Sequence, residues 1–258
     1  MIRPTHSRAL HVCLGLCLCA MLCGCGGTPD QPPSPEPQTR PTTRPTTQPA
    51  TDAAAGLAAL PLKLPKPVFR GTPKNIPAGT TVAKPTGKPR PAFLAPPGVK
   101  NVALGRAVTS SDMEPIIGEL KLATDGDKEA EDGRFVELGP MVQWLQVDLG
   151  TPRDIHAVCL WHYHLDPRVY RDVIVQVADD ADFITNVRTL FNNDQDNSAG
   201  RRIGRDREYF ETYEGKLIDA RTAGRPARAR YVRLYSNGST ASEMNHYTEV
   251  EVWGTPGP

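Results

Sequence analysis

The sequence has almost no cysteine outside its first 25 residues. Five of its six cysteines lie at positions 13, 17, 19, 23 and 25, and the sixth is Cys159. A disulfide within the C-terminal part is therefore excluded, so a packed core, with or without an ion, must stabilise that part.

Sequence patterns for catalysis are also missing. The chain contains no Gly-x-Ser-x-Gly, no His-Glu-x-x-His and no phosphate-binding loop. Cys159 stands between Val158 and Leu160, so we expect an inert buried thiol there and not a nucleophile. The sequence therefore predicts that the protein is not an enzyme.

A basic surplus is absent from the C-terminal part. Residues 100–258 contain 19 Lys and Arg against 26 Asp and Glu, a net charge of −7. Nucleic-acid binding requires a positive surface, so a nucleic-acid partner is not expected.

The first 24 residues have the features of a signal peptide. Arg3 and Arg8 precede an apolar run from Ala9 to Leu22, which is short for a membrane span. The following Leu22-Cys23-Gly24-Cys25 resembles the bacterial lipobox. This resemblance implies cleavage before Cys25, lipidation of its thiol and anchoring of the exported protein to a membrane of the cell envelope. The alternative is an ordinary signal peptide with incidental cysteines.

Proline is concentrated between this segment and the C-terminal part. Residues 25–56 are rich in proline and threonine, which predicts an extended, disordered tether. Residues 57–98 add large apolar side chains, and we expect a strap that docks partly on the domain through Val68, Phe69, Phe93 and Leu94. Continued disorder is the alternative. The domain itself is assigned to residues 99–254, long enough to bury a core.

No convincing helical period appears in the domain, whereas short alternating or apolar segments are separated by turn residues such as Asp125-Gly126 and Asn237-Gly238. The pattern predicts an all-β fold of about eight strands, a sandwich or jelly roll. The predicted strands are Arg106–Thr109, Arg134–Leu138, Val142–Leu149, Ile155–Tyr163, Asp172–Ala178, Val187–Phe191, Ala229–Tyr235 and Thr248–Trp253.

These segments also resemble the discoidin domain, the coagulation factor type C group, in family order. The matching stretches begin at Asn101 (NVALGRAVTSS), Ala123 (ATDGD), Gln143 (QWLQVDLG), Val173 (VIVQVADD), Ala229 (ARYVRL) and Thr248 (TEVEVWG). The resemblance implies a galactose-binding-like jelly-roll β-sandwich. The lack of a terminal disulfide argues for the bacterial, carbohydrate-module-like branch over the animal branches.

Three carboxylates are candidates for a structural calcium site. Ca²⁺ takes six to eight oxygen ligands from carboxylates and turn carbonyls, and the Asp-Gly turn at Asp125 supplies both kinds. The discoidin resemblance implies ligation by Asp125 and the late-strand Glu249, with Asp127 as a third member. The alternative is a plain turn. The acidic loop 192–200 lacks the glycine and glutamate of a calcium loop, and we interpret it as a polar loop.

Aromatic, basic and amide residues suggest where a ligand binds. Sugars stack on aromatic rings and bond planar polar side chains, and two segments of the chain combine both kinds of residue. The candidates are Trp161, His162, His164, Arg168, Tyr170, Asn245 and His246. Arg168 and Tyr170 follow Asp166-Pro167, so we expect them in an exposed loop. Alternatives are a transition-metal site of the three histidines, or aromatic side chains that belong to the core.

Two functions agree with these observations. The first is a lipid-anchored envelope module that binds carbohydrate through its loops. The second is a structural or assembly lipoprotein whose domain docks onto an envelope protein. Fold alone does not separate them.

Overall fold

The computed structural model describes residues 56–68, 81–131 and 133–255. Cys25, the predicted tether and Phe69 lie outside these residues, so lipidation and the tether stay predictions. Twelve strands and one 3-10 helix, Leu120–Thr124, form the described part. The strands are β1 Ala58–Ala59, β2 Leu94–Ala95, β3 Lys100–Asn101, β4 Ala107–Ser110, β5 Val136–Pro140, β6 Gln143–Trp161, β7 Ile174–Ala178, β8 Arg188–Asn192, β9 Lys216–Asp219, β10 Ala227–Ser236, β11 Met244–Tyr247 and β12 Glu249–Thr255.

The long strand β6 organises the sandwich because its two halves pair with different neighbours. Its first half pairs with β4 and with the second part of β10, and β7 and β8 continue this layer. Its second half pairs with β12 and β9, and β12 in turn pairs with β3. The change occurs at Gly150-Thr-Pro152, where a turn was predicted and the strand instead continues through an irregularity in its pairing with β10, which we call the bend of β6. Glycine has φ +82° there, which explains why the chain can bend.

The core lies between these two layers. It includes Leu145 and Val147 from the first layer, and Val158 and Leu160 from the second. Leu138 of the separate β5–β11 ladder joins the same cluster. All strand pairs are antiparallel, and no described helix is long and apolar enough to cross a membrane. The predicted all-β sandwich is confirmed, with more strands than the eight expected.

The outer face of the second layer is covered by residues that precede the domain. Ala157 and Trp253 point away from the core and pack with Ala95 and Val99, and Leu60, Leu62 and Phe93 pack against this cluster. Two parts of these preceding residues pair with each other in the two-strand ladder β1–β2. Arg221 also donates a hydrogen bond to the Leu94 carbonyl at 2.9 Å and lies 4.3 Å from the Phe93 ring centroid.

Only some of the side chains predicted to dock the strap pack against the domain. Phe93 packs as expected, whereas Val68 and Leu94 are 59% and 47% exposed. Leu94 contributes its backbone to β2, so its side chain turns outward while its neighbours on either side turn inward. The domain boundaries themselves stay a prediction.

Candidate functional site

The loop between β6 and β7 is pinned by contacts with two other parts of the chain. Val169 forms a bridge with Phe210, and Tyr170 forms one with Ser239. Arg168 and Tyr170 are only 7% and 1% exposed. The expectation that these two side chains are exposed is therefore wrong, because the loop folds inward against residues far away in sequence.

Arg168 is held by a carboxylate and an aromatic ring. Its Nε and Nη2 donate to the two oxygens of Asp166 at 2.6 and 2.8 Å. Its guanidinium carbon lies 4.5 Å from the centroid of the Tyr163 ring. The third nitrogen, Nη1, is buried and makes no well-aligned hydrogen bond to a described residue, and the Tyr170 hydroxyl is its neighbouring acceptor. The guanidinium is thus fixed in place with one donor group poorly paired.

His246 comes to the same place from β11. Its Nε2 lies 3.0 Å from Oε2 of Glu137, on the paired strand β5. Burial and the positive charge of Arg168 lower the pKa of His246 to about 4, so the ring is neutral near pH 7. We infer the tautomer from this contact: Nε2–H donates to Glu137, and Nδ1 is an acceptor. Nδ1 is buried and makes no well-aligned hydrogen bond within the described ranges, and a contact with the Met244 backbone partly offsets the lowering of the His246 pKa.

Aromatic rings surround these polar groups. The ring centroids of Phe135 and Tyr163 are 5.1 Å apart in an edge-to-face arrangement. Those of Phe135 and Tyr163 lie 5.8 and 6.0 Å from the His246 ring. The side chains of Asp166 and Glu137 remain 50% and 16% exposed, so this end of the cluster reaches the surface.

We call this cluster the Arg168–His246 site. It consists of Phe135, Glu137, Tyr163, Asp166, Arg168 and His246. The sequence analysis selected Arg168 and His246 but missed the other four. Tyr163 and Asp166 lay inside the segment it emphasised, whereas no local pattern marks Phe135 and Glu137, which the β5–β11 pairing brings in.

A buried polar layer supports the site from below. The rings of His162 and Tyr170 stack with centroids 4.1 Å apart, and His162 Nδ1 lies 3.0 Å from Glu211 Oε2. His162, Tyr170 and Glu211 are each at most 1% exposed. Burial raises the pKa of the Tyr170 hydroxyl, and the Arg168 charge opposes this shift. His162 and Tyr170 therefore position the site from within and do not face a ligand.

Trp161, His164 and Asn245 do not belong to the site. Trp161 is fully buried on the outer face of the second layer, with Nε1 donating to the Tyr213 carbonyl. His164 Nε2 contacts the Lys128 carbonyl at 2.7 Å. The assignment of these three to ligand contact is corrected, because each is buried and committed to the fold.

Asn245 uses its whole amide to hold two loops. Its Oδ1 accepts from Ser236 Oγ and the Gly238 N–H, and its Nδ2 donates to the Gly139 and Met141 carbonyls. All of its hydrogen-bonding capacity is therefore taken.

The histidines also do not converge on a point where a transition metal would bind. His162 contacts Glu211, His164 contacts a carbonyl and His246 contacts Glu137. A metal ion needs several ligand atoms around one centre, so this alternative finds no support in the described residues.

The three predicted calcium ligands differ in how well they fit an ion. Asp127 does not fit, because its Oδ1 accepts the Glu129 N–H and its Oδ2 pairs with Arg134 at 2.7 Å. Asp125 is exposed, and its Oδ1 accepts the Asp127 N–H. Glu249 is fully buried, its Oε2 accepts the Gly126 N–H, and its Oε1 has no partner in the part of the chain that the structure describes. Glu249 is the carboxylate that fits best, and calcium stays a proposal carried by it and Asp125.

Calcium should raise thermal stability if Glu249 binds it only in the folded protein. At a free concentration 100 times the Kd, we expect a stabilisation of about 2.7 kcal/mol. Melting curves with excess calcium and with chelator measure this, and both Glu249→Gln and Asp125→Ala should remove the difference. Asp127→Asn is the matched control that should keep it. If the wild-type melting curves with calcium and with chelator superimpose, Asp125-Gly126 is a plain turn and the calcium proposal is wrong.

A second acidic group joins Asp172 to two aspartates of the loop 192–200, which was interpreted from sequence as polar. Carboxylate oxygens of Asp172, Asp194 and Asp196 lie within 4.8 Å of one another. Asp194 also accepts N–H groups of Ser198 and Ala199, so it shapes the loop. These contacts explain a buried aspartate without an ion.

Cys159 is fully buried on β6, and burial raises the pKa of its thiol strongly. A protonated, inaccessible thiol is a poor nucleophile. The expectation of an inert cysteine agrees with this position.

Comparisons with known proteins give similarity of structure only. No protein-family model matches the chain, and no curated protein matches it in sequence. The chain is similar to chitosan-binding module 1 from a Paenibacillus sp. IK-5 chitosanase/glucanase, with 22% identity over 60% of this chain and 99% of the module, and a TM-score of 0.39. It is also similar to a Streptococcus pneumoniae fucose-binding module, with 15% identity over 59% of this chain and 96% of the module, and a TM-score of 0.40. The lectin domain of lectinolysin is 19% identical over 61% of this chain and 98% of that domain, with a TM-score of 0.42. The function of this chain is therefore derived from its own side chains.

Proposed function

We propose that the domain is a non-catalytic carbohydrate-binding module and that the Arg168–His246 site receives the sugar. The carrying observation is a pair of buried polar atoms that make no well-aligned hydrogen bond within the described ranges, Arg168 Nη1 beside the Tyr170 hydroxyl and His246 Nδ1. A sugar hydroxyl both donates and accepts, so it can bond either atom. An unpaired buried polar atom costs about 1–3 kcal/mol, and a ligand that pairs with it recovers part of that cost.

The neighbouring groups fit the same ligand. The partly buried Tyr163 ring lies beside the polar atoms, and the buried Phe135 ring packs edge-to-face against it. The half-exposed Asp166 carboxylate accepts hydrogen bonds from the Arg168 guanidinium. Sugar hydroxyls would take over part of these hydrogen bonds when the ligand binds. Binding residues on a rigid scaffold are the usual arrangement for recognition, and both bridges of the β6–β7 loop supply that rigidity.

Replacing Arg168 tests this proposal directly. We expect Arg168→Ala and Arg168→Lys to weaken glycan binding about tenfold or more, because lysine keeps the charge but lacks the planar fork. The full chain is first screened on an array of plant, animal and microbial glycans, and calorimetry on the strongest hit compares the variants. Arg171→Ala, at an exposed arginine three residues away, is the control and should bind as wild type.

Melting temperatures of all variants show whether a loss of binding is a loss of folding. Wild-type binding by both Arg168 variants would place the site elsewhere. An array that returns no glycan would favour the second candidate, docking onto an envelope protein. A specific observation supports that alternative. Large apolar side chains are exposed near the contact in which the Gly139 N–H donates to Asp112: Met113, Ile116 and Met141 are 89%, 56% and 76% exposed.

We also propose that the domain is tethered to a membrane of the cell envelope through lipid on Cys25. The support is the Leu22-Cys23-Gly24-Cys25 sequence and the preceding apolar run. A proline-rich spacer between lipid and domain would hold the binding site away from the membrane surface.

Cys25→Ser should abolish incorporation of labelled fatty acid and release the protein from the membrane fraction. Cys23→Ser is the matched control, since Leu22 is too bulky for the residue before a lipidated cysteine, and it should remain labelled. Labelling of Cys25→Ser with retention in membranes would contradict the anchor.

A further inference from the structure

A groove far from the Arg168–His246 site is lined by groups of one sign. It has a volume of about 580 Å³ and lies where β3, the start of β4 and the bend of β6 meet. Its lining includes Lys100, Asn101, Val102, Leu104, Arg106 and Arg153, and contains no carboxylate. This concentration of positive charge occurs on a domain whose net charge is −7.

The arginines of the groove are not neutralised by ion pairs. Arg153 Nε is buried and makes no hydrogen bond to any described residue. Arg106 Nε makes one long contact, 3.4 Å, to the Val102 carbonyl. Neither arginine forms a salt bridge within the ranges that the structure describes.

Arginines just outside the groove are different. Arg230 binds both oxygens of Asp148 at 2.8 and 2.7 Å, and Arg228 pairs with Asp154 at 3.2 Å. Both nearby carboxylates are therefore already paired with other arginines, although the Arg106 charge also helps to lower the pKa of Asp148. The positive charge of this end of the sandwich is left in the groove, where a cleft of one sign concentrates ligands of the other.

The hydrogen-bonding groups of the groove are donors. Asn101 uses its Oδ1 to accept the N–H groups of Ala103 and Val252, so the group it can offer a ligand is its NH₂. Lys100 and the two guanidinium groups are donors only. A groove of donors with a surplus of positive charge fits an anion whose atoms are acceptors.

We propose that this groove binds the carboxylate or sulfate group of an acidic polysaccharide. Guanidinium groups match both anions in geometry, and Leu104, 57% exposed, supplies an apolar surface for the sugar ring next to them. Duplex DNA and RNA would need a longer basic face than three cations on an acidic domain.

The two sites lie toward opposite ends of the second half of β6. Arg153 is at its bend, and Trp161 at its end is eight residues away, which corresponds to about 25 Å of strand. The Arg168–His246 site follows Trp161 in the chain. The groove can therefore be tested independently of the proposed sugar site, and neither depends on the other.

The experiment uses the full chain in affinity electrophoresis with two matched pairs of polymers. Polygalacturonate is compared with its methyl ester, and dextran sulfate with dextran, at low and high salt. We expect a charged polymer to retard the protein while its neutral partner does not, with retardation decreasing as salt rises. Arg153→Gln, Arg106→Gln and Lys100→Gln should each reduce the affinity about tenfold.

Arg228→Gln is the control, since this arginine is paired with Asp154, and it should change the affinity less than twofold. Lys100 is exposed, so its variant stays informative if an arginine variant lowers the melting temperature. The proposal is overturned if neither charged polymer binds, if the neutral polymers bind equally, or if the groove variants bind as wild type. Equal binding of a DNA duplex or of inorganic sulfate, with the same dependence on Arg153, would overturn the assignment to a polysaccharide.

Discussion

Replacing Lys128 by methionine is expected to lower the free energy of unfolding by about 3–5 kcal/mol, the usual cost of leaving a buried charge without its partner. Lys128 Nζ lies 2.6 Å from Glu251 Oε1, and the two side chains are 9% and 6% exposed. Methionine keeps the length and the apolar stem of lysine, so the loss of charge is the main change. Urea unfolding of the two proteins at one pH measures it.

The location of this ion pair explains the size of the effect. Glu249 and Glu251 project from β12 on the same outward side, beside Trp161 and Trp253. Glu251 Oε2 accepts the Trp253 Nε1–H at 3.0 Å, and burial raises the pKa of Glu249 to about 9. Lys128 is a cation that faces both carboxyl groups, and its removal leaves Glu251 buried without an ion-pair partner among the described residues.

A double variant separates the ion pair from the packing around it. Lys128→Met with Glu251→Leu removes both charges and should be much closer to wild type than Lys128→Met alone. If the single and double variants unfold at the same denaturant concentration, Lys128 contributes through packing and the ion-pair explanation is wrong.

Lowering the pH from 7 to 4 should remove about 3 kcal/mol of stability through His246 alone, because its pKa falls from 6.5 in the unfolded chain to about 4 in the folded one. The folded protein then binds fewer protons than the unfolded chain. This contribution is complete above pH 6.5 and is lost as the pH falls toward the folded pKa of 4. Burial raises the pKa of Glu137, which acts in the opposite direction.

His246→Gln isolates the histidine contribution. Glutamine keeps an N–H donor for Glu137 but does not titrate, so the variant should lose less stability than wild type between pH 6.5 and 4. Unfolding in urea at several pH values gives both curves. Parallel curves would show that His246 has an ordinary pKa and is open to solvent. His156, whose pKa burial also lowers, provides a second histidine for comparison through His156→Gln.

The candidate site shows how many of its residues can be predicted from residue types alone, without knowledge of the fold. Arg168 and His246 were selected because basic and aromatic residues occur together near a predicted loop, and both belong to the site. Trp161 was selected for the same reason and is buried on the other side of the strand. Successive strand residues point to opposite faces, and the sequence alone did not reveal which face each would meet.

Backbone patterns were sufficient for most of the strands. Alternation and turn residues predicted the strands at Ala107, Ile174, Arg188, Ala227 and Glu249, because these segments carry their own signal. The short strands β9 and β11 were missed, since four residues with mixed polarity give no period. The break predicted at Gly150 is a bend within β6, because pairing on both sides continues the strand through it.

What the sequence by itself determined is the proline-rich stretch, the all-β class and the acidic charge of the domain, each of which depends on composition or on neighbouring residues. Only the tertiary structure decided the contacts between distant segments. It placed Phe135 and Glu137 beside Arg168, buried Lys128 between Glu251 and Trp161, and put Arg106 and Arg153 in a groove whose lining contains no carboxylate. These outcomes follow from strand pairing between residues far apart in the chain, which no local pattern encodes.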